Sequence, residues 1–162
     1  MDAKAGLKNY LQETTFRNAV WRDAGRTIAY ISTRDESIGI WETDVTAGTH
    51  RRLSNENERI WNLYADKKTG TLLYTVDTGG NECEQIFCIE GGREPRNLTQ
   101  DPASRHFLGG MRADGKTVVY SSNRRTSSTF DIWALDMESG RAEMVYENTG
   151  NYNTPPHHSV SP

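Results

Sequence analysis

Cysteine is nearly missing from this chain of 162 residues, which has only Cys83 and Cys88, five positions apart. A disulfide framework needs more cysteines, and a zinc site needs further ligands at metal spacing. Two free thiols in a reducing compartment is the reading that remains. Long apolar runs are missing too: none approaches the roughly 18 residues of a membrane span. Met1 to Tyr10 is polar and has no apolar core of signal-peptide length, so the cytoplasm is the expected location. Neither sign of charge prevails, with 19 Lys and Arg against 22 Asp and Glu and a net charge of −3. The arginines are scattered and form no basic arm, which argues against a nucleic-acid partner. Finally, no Gly-x-Ser triplet occurs anywhere, so the chain has no Gly-x-Ser-x-Gly elbow to carry a serine nucleophile.

What the chain does have is a repeat. Tyr30, Tyr74 and Tyr120 are 44 and 46 residues apart, and Trp41, Phe87 and Trp133 are 46 and 46 apart. Gly48, Gly92 and Gly140 are 44 and 48 apart in the same order. A period of about 45 is that of four-stranded propeller blades. The third copy is the clearest. Asp114-Gly115 makes a turn, Thr117 to Tyr120 an apolar strand, Ser121 to Thr129 a polar loop, and Asp131 to Asp136 another strand. The runs Ile28 to Ile31, Leu72 to Tyr74 and Val118 to Tyr120 do not alternate. Continuous apolar strands mean that both faces of the sheet are covered, as for the middle strands of a blade between two others.

The expected fold is therefore all-β: a β-propeller fragment of about three four-stranded antiparallel blades in an open arc. Blade 1 spans 16–58, blade 2 spans 59–103 and blade 3 spans 104–153. Residues 1–15 are a tail or the last strand of a preceding blade, around Tyr10 and Leu11. Residues 154–162 start a further blade. The core is expected at Ile28, Tyr30, Trp41, Leu72, Tyr74, Phe87, Val119, Tyr120 and Trp133.

These units resemble the WD-repeat-like propeller units of the prolyl-oligopeptidase family of serine peptidases, and those of the Tol-Pal translocation protein. The pattern is Trp-x-x-x-Gly-x-x-Ile-Ala-Tyr, then Ile-Trp-x-x-Asp, then Gly-x-x-Arg-x-Leu. Tyr120 to Arg125 followed by Phe130 to Asp136 is most similar to the peptidases, including the acylaminoacyl-peptidase and dipeptidyl-peptidase relatives. His158 to Pro162 resembles the start of a further unit. Arg22 to Gly25 departs from the Ser-Pro-Asp-Gly turn of the family, and the Ala65 to Gly70 turn is one residue longer. The resemblance implies a non-catalytic propeller that restricts access to a hydrolase domain and selects short peptides. The alternative is a protein-protein interaction module like the Tol-Pal propeller. A carbohydrate lyase working in its own channel needs a histidine and metal cluster that the sequence does not show.

Site residues are few. Arg17, Arg59 and Arg105 each stand near the start of a first strand, and first strands line a propeller's channel. Three arginines there would attract anionic groups or peptide C-termini. His157 and His158 are adjacent and point to opposite faces if extended. His50 and His106 read as surface or partly buried residues, and Glu82 and Glu84 as a solvated loop. Arg124 and Arg125 are expected to form salt bridges at a blade edge. No cofactor or metal is expected. The expected partners are the missing blades and hydrolase domain, short peptides, and a second copy, since two three-blade arcs could close a six-blade ring.

Overall fold

The computed structural model describes residues 14–54 and 58–150. Tyr10 and Leu11, His157 and His158, and the segment 154–162 lie outside the described residues.

Twelve strands form three separate sheets of four, each antiparallel and each in chain order. The first sheet is β1 (Phe16–Arg22), β2 (Thr27–Ser32), β3 (Gly39–Asp44) and β4 (Thr49–Arg52). The second is β5 (Arg59–Ala65), β6 (Leu72–Asp77), β7 (Gln85–Ile89) and β8 (Arg96–Asn97). The third is β9 (His106–Met111), β10 (Thr117–Thr126), β11 (Thr129–Asp136) and β12 (Ala142–Tyr146). This is an open arc of β-propeller blades.

The repeat markers are cross-strand neighbours. Tyr30 pairs with Trp41, Tyr74 with Phe87 and Tyr120 with Trp133. Each aromatic pair stands on the face of its sheet that looks back along the chain, at the spacing where large side chains gain most from one another. Short turns fix the registers. At Asp114-Gly115 the aspartate carboxylate accepts the backbone N–H groups of Lys116 and Thr117 at 2.8 and 2.9 Å, and Gly115 takes a positive φ of 70° that suits glycine.

The sheets stack face to face around two apolar seams. Ala29, Ile31 and Ile40 of the first sheet meet Ile60, Leu63, Leu72, Tyr74 and Val76 of the second. Leu73, Ile86 and Cys88 on the other face of the second sheet meet Met111, Val118, Tyr120 and Leu135 of the third. The second sheet is thus covered on both faces, and all six residues of β6 are buried. A polar tie supplements the first seam. Arg22, buried, ion-pairs with Glu42 and donates from Nε to the Gly70 carbonyl at 2.8 Å.

The innermost strands share an irregularity. Register shifts fall between Arg17 and Val20 in β1, between Ile60 and Leu63 in β5, and between Gly110 and Leu108 in β9. These are β-bulges, which re-aim side chains. In β9 the bulge needs glycine, because a Cβ on Gly109 would come within 2.8 Å of the Val119 carbonyl oxygen. Asn18, at the β1 bulge with φ 50°, donates from its side-chain amide to the Trp61 carbonyl and ties β1 to β5.

Four residues expected in the core are only half-buried: Ile28, Phe87, Val119 and Trp133. Ile28 and Val119 stand on the outer faces of the arc, which no described sheet covers. Phe87 and Trp133 lie beside the outer strands, of which β8 is two residues long. On the open face of the first sheet, Phe16 and Trp21 are 63% and 57% exposed. Trp41 and Tyr30 on that face stay buried because Arg34 and Arg52 stack over the indole and Phe16 lies against the phenol ring. A second difference concerns Arg124 and Arg125. The expected polar loop is shorter than Ser121 to Thr129, because β10 and β11 extend as a hairpin and take both arginines into β10. Arg125 ion-pairs with Asp131 at 2.7 Å and Glu147 at 3.1 Å, and Arg124 stacks on Trp133.

Packing at this density makes the central seam sensitive to lost volume. Leu72→Ala, at a fully buried site, should destabilise the protein by about 2–5 kcal/mol. Val45→Ala, at a residue 47% exposed, should stay within about 0.5 kcal/mol. Urea midpoints of the two variants check the contrast.

Candidate functional site

The repeat provides an internal control for the two seams. Counted from the marker pairs, Ile31 in the first sheet corresponds to Thr75 in the second, and Ile38 to Glu84. On the facing sheets, Ile60 corresponds to His106 and Val76 to Ser122; the registers Ile60 to Val76 and His106 to Ser122 confirm the match. All four positions are aliphatic in the first seam, where Ile31, Ile60 and Val76 form part of its core and Ile38 packs against it. All four are polar in the second. Thr75, His106 and Ser122 have no exposed surface there. The inner end of the second seam therefore holds a buried polar cluster where the fold needs only apolar side chains.

Burial leaves this cluster incompletely satisfied. Oε2 of Glu84 is sealed from solvent and has no hydrogen-bond partner. Burial pushes the Glu84 carboxyl above the usual range, and the nearby Asp77 carboxylate pushes the same way; Thr75, Arg105 and Arg59 oppose it. His106 lies 3.3 Å from the Asp101 carbonyl through Nε2, which places the proton there and leaves Nδ1 a bare acceptor without a partner. Burial lowers its pKa, and the ring is neutral, edge-on to Tyr120. Gln85 holds the connecting segment in place: its amide donates to the Asp101 carbonyl at 2.8 Å and accepts from the Asp101 N–H at 2.9 Å.

Two of the three arginines border this cluster. Arg59 pairs with Asp77 in the ladder, three residues past Tyr74. Arg105 lies opposite Asn123, three residues past Tyr120, and its N–H meets the Asn123 side chain at 2.8 Å. Arg17 pairs with Ile31, one residue past Tyr30, and so sits two positions further along its strand. Arg59 lies flat over the Trp61 ring at 3.4 Å and takes part in no ion pair among the described residues. Arg105 ion-pairs with Glu82 at 2.7 Å, a contact at the rim with Glu82 largely exposed.

Two expectations are corrected here. Glu84 is not fully solvated: it ends the loop just ahead of β7, half-buried with Oε2 sealed, while Glu82 of the same loop is exposed. His106 is not a surface or partly exposed residue; as the equivalent of Ile60 it is wholly buried. His50 is exposed and bonds Thr43 at 2.7 Å. Both cysteines are unpaired, and burial raises the Cys88 thiol. Among the described residues no group of His, Cys, Asp and Glu is arranged to hold a metal. None of their helices is long and apolar enough to cross a membrane. A cleft of about 470 Å³ beside Asp23, Glu42, Asp44, His50 and Arg51 went unnoticed in the sequence. Its central charge is already matched, since Glu42 binds both Arg22 and Arg51.

No protein-family model matches the chain. In sequence it is similar to dipeptidyl aminopeptidase BIII of Pseudoxanthomonas mexicana, with 20% identity over 128 residues, 76% of this chain and 19% of that enzyme. In structure it is similar to dipeptidyl peptidase 4 of Porphyromonas gingivalis, with a TM-score of 0.65 and 15% identity over 82% of this chain and 18% of that one. It is also similar to TolB of Acinetobacter baumannii, with a TM-score of 0.57 and 18% identity over 85% of this chain and 33% of that one. At these identities the likeness is one of fold: blades of the propellers found in peptidases and in TolB. The chain spans less than a fifth of the curated relative's length.

The polar exchange should cost stability. Glu84→Ile and His106→Ile, which restore the residues of the first seam, should each raise stability by about 1–3 kcal/mol, the cost of an unsatisfied buried group. The pH dependence separates them. The lowered His106 pKa means that the unfolded chain binds its proton first, so stability is lost as pH falls through the ordinary histidine range. The raised Glu84 pKa works in reverse: its stability is present at low pH and is lost as pH rises through the folded value. Thermal melts between pH 4 and 8 should show His106→Ile removing the acid-side loss and Glu84→Ile gaining most on the neutral side.

Proposed function

We propose that this chain is the propeller portion of a prolyl-oligopeptidase-like serine peptidase. In this reading it performs no chemistry itself; it restricts access to a hydrolase domain and selects peptides through inner-strand residues that include Arg17, Arg59 and Arg105. The observation that carries the reading is the double likeness to dipeptidyl peptidases, in sequence to the Pseudoxanthomonas enzyme and in fold to the Porphyromonas one. The sequence has no Gly-x-Ser-x-Gly elbow, so in this reading the nucleophile belongs to another part of the parent. Further blades are the partners that suit the open faces. Phe16 and Trp21 stand where the equivalent faces of the second and third sheets are covered, and burying a large apolar side chain contributes about 1.5–3 kcal/mol. A second copy of the arc would serve the same faces. The unpaired cysteines support a reducing compartment such as the cytoplasm. A second reading, a protein-protein interaction module, draws on the likeness to TolB.

The test uses the native protein. Antibodies against this chain should capture from its source a species larger than 18.3 kDa that a fluorophosphonate labels at one serine. Captured, folded protein that takes no label would overturn the peptidase reading and leave the interaction module.

A further inference from the structure

We infer that the inner end of the seam between the second and third sheets is a binding site for a carboxylate, held between Arg59 and Arg105 with Glu84 behind them. The inference deepens the peptide-selecting role proposed above and rests on it only for the biological source of the carboxylate.

Three observations lead there. The first is the exchange of four aliphatic residues for Thr75, Glu84, His106 and Ser122 at one place in an otherwise repeated seam. Structure alone is served by the aliphatic set, as the first seam demonstrates. The second is the placement of the arginines. Arg59 opens β5 and Arg105 stands just ahead of β9, each opposite the residue three past its sheet's marker tyrosine, and both act electrostatically on Glu84. Arg59 lies over the Trp61 ring and forms no ion pair among the described residues, which leaves its N–H groups for a ligand. The third is Glu82. Its carboxylate already occupies Arg105 at 2.7 Å, from a side chain 73% exposed. An exposed pair of this kind contributes little and is readily exchanged. Glu82 marks where a ligand carboxylate would bind, and two arginines in reach of one such group give the charge-assisted contacts that carboxylates favour.

Glu84 sets the proton dependence. The charged groups that face it are Asp77 from β6, Arg59 from β5 and Arg105 ahead of β9, with Glu82 on its own loop and neutral His106 in the same seam. Ionised, Glu84 competes with the ligand for the arginines. Protonated, it gives up that claim and leaves the arginines to the ligand. Binding is therefore tighter at acid than at neutral pH. Peptide C-termini and small organic acids share this chemistry.

Calorimetric titration of the whole chain tests the site. The probes are N-acetyl-trialanine with a free C-terminus, the same peptide amidated, and acetate. The free acid should bind and the amide should not. A peptide acid tighter than acetate assigns the site to peptide C-termini; equal binding assigns it to small carboxylates; either result upholds the carboxylate site. Arg59→Gln and Arg105→Gln should each weaken binding by about tenfold or more. Glu82→Gln, at an exposed position that does not endanger folding, should tighten it. Glu84→Gln keeps a donor and loses the titration, so the tightening of binding toward acid pH should disappear. Equal binding of acid and amide, or unchanged pH dependence in Glu84→Gln, overturns the inference. Fluorophosphonate labelling of the parent bears on neither outcome, so the two readings fail separately.

Discussion

Face-to-face burial of the second sheet is the constraint on which the structure depends. A four-stranded sheet of this size cannot hold its strands with one face in water when β6 is apolar on both sides. The first and third sheets supply the two covers. Tyr74 and Leu72 face the first while Leu73 and Ile86 face the third, so β6 belongs to two cores at once. The order of the sheets in space follows the order of the repeats in sequence because each unit's aromatic pair needs the preceding unit to cover it. Among the described residues only the first unit goes without, and its Tyr30 and Trp41 draw on arginine stems and Phe16 instead.

Against that background the two seams divide the work. The first is apolar at its inner end and carries a buried Arg22–Glu42 pair elsewhere, from which Arg22 reaches across to the Gly70 carbonyl. The second is apolar only as far as Ile86 and Tyr120, then turns polar. A protein that keeps Glu84 and His106 where isoleucine fits sacrifices stability locally, and such sacrifices concentrate where a surface has something to recognise. Burial disfavours the charged form of both groups, raising the Glu84 pKa and lowering that of His106, and the rim around them carries Arg59, Arg105 and Glu82.

Much of the fold was legible because the repeat markers are themselves paired residues: a period in sequence became a register in space. Ile28 to Ile31, Leu72 to Tyr74, Thr117 to Tyr120 and Asp131 to Asp136 lie in strands, where their patterns place them. The extent of β10 was not legible, since Ser-Asn-Arg-Arg has loop composition, yet it lies in a strand paired with β11 where Arg125 meets Asp131 and Glu147. Half of the candidate site was visible as well. Arginines are conspicuous at strand starts, and Arg59 and Arg105 meet at one level. Arg17 falls two residues out of step because Thr15 occupies that level in the first sheet, with its carbonyl accepting from the Thr33 N–H. Glu84 and His106 were misread because polarity was taken as exposure. The signal that finds them is comparison between units at fixed distance from the aromatic markers, where isoleucine becomes glutamate or histidine.

The bulge in each inner strand has a mechanical consequence. Ile60 and Leu63 are three residues apart, so in a regular strand they would face opposite ways; both lie in the same core, opposite Val76 and Tyr74. The bulge resets the phase of the strand. It divides β5 into a rim half with Arg59 and Ile60 and a core half with Leu63 to Ala65, each with its own alternation. The rim half is thereby insulated from the core half, as two lengths of shaft are by a coupling. Side chains of the rim half can be exchanged from blade to blade, as Ile60 and His106 are, without a change of register reaching the core half.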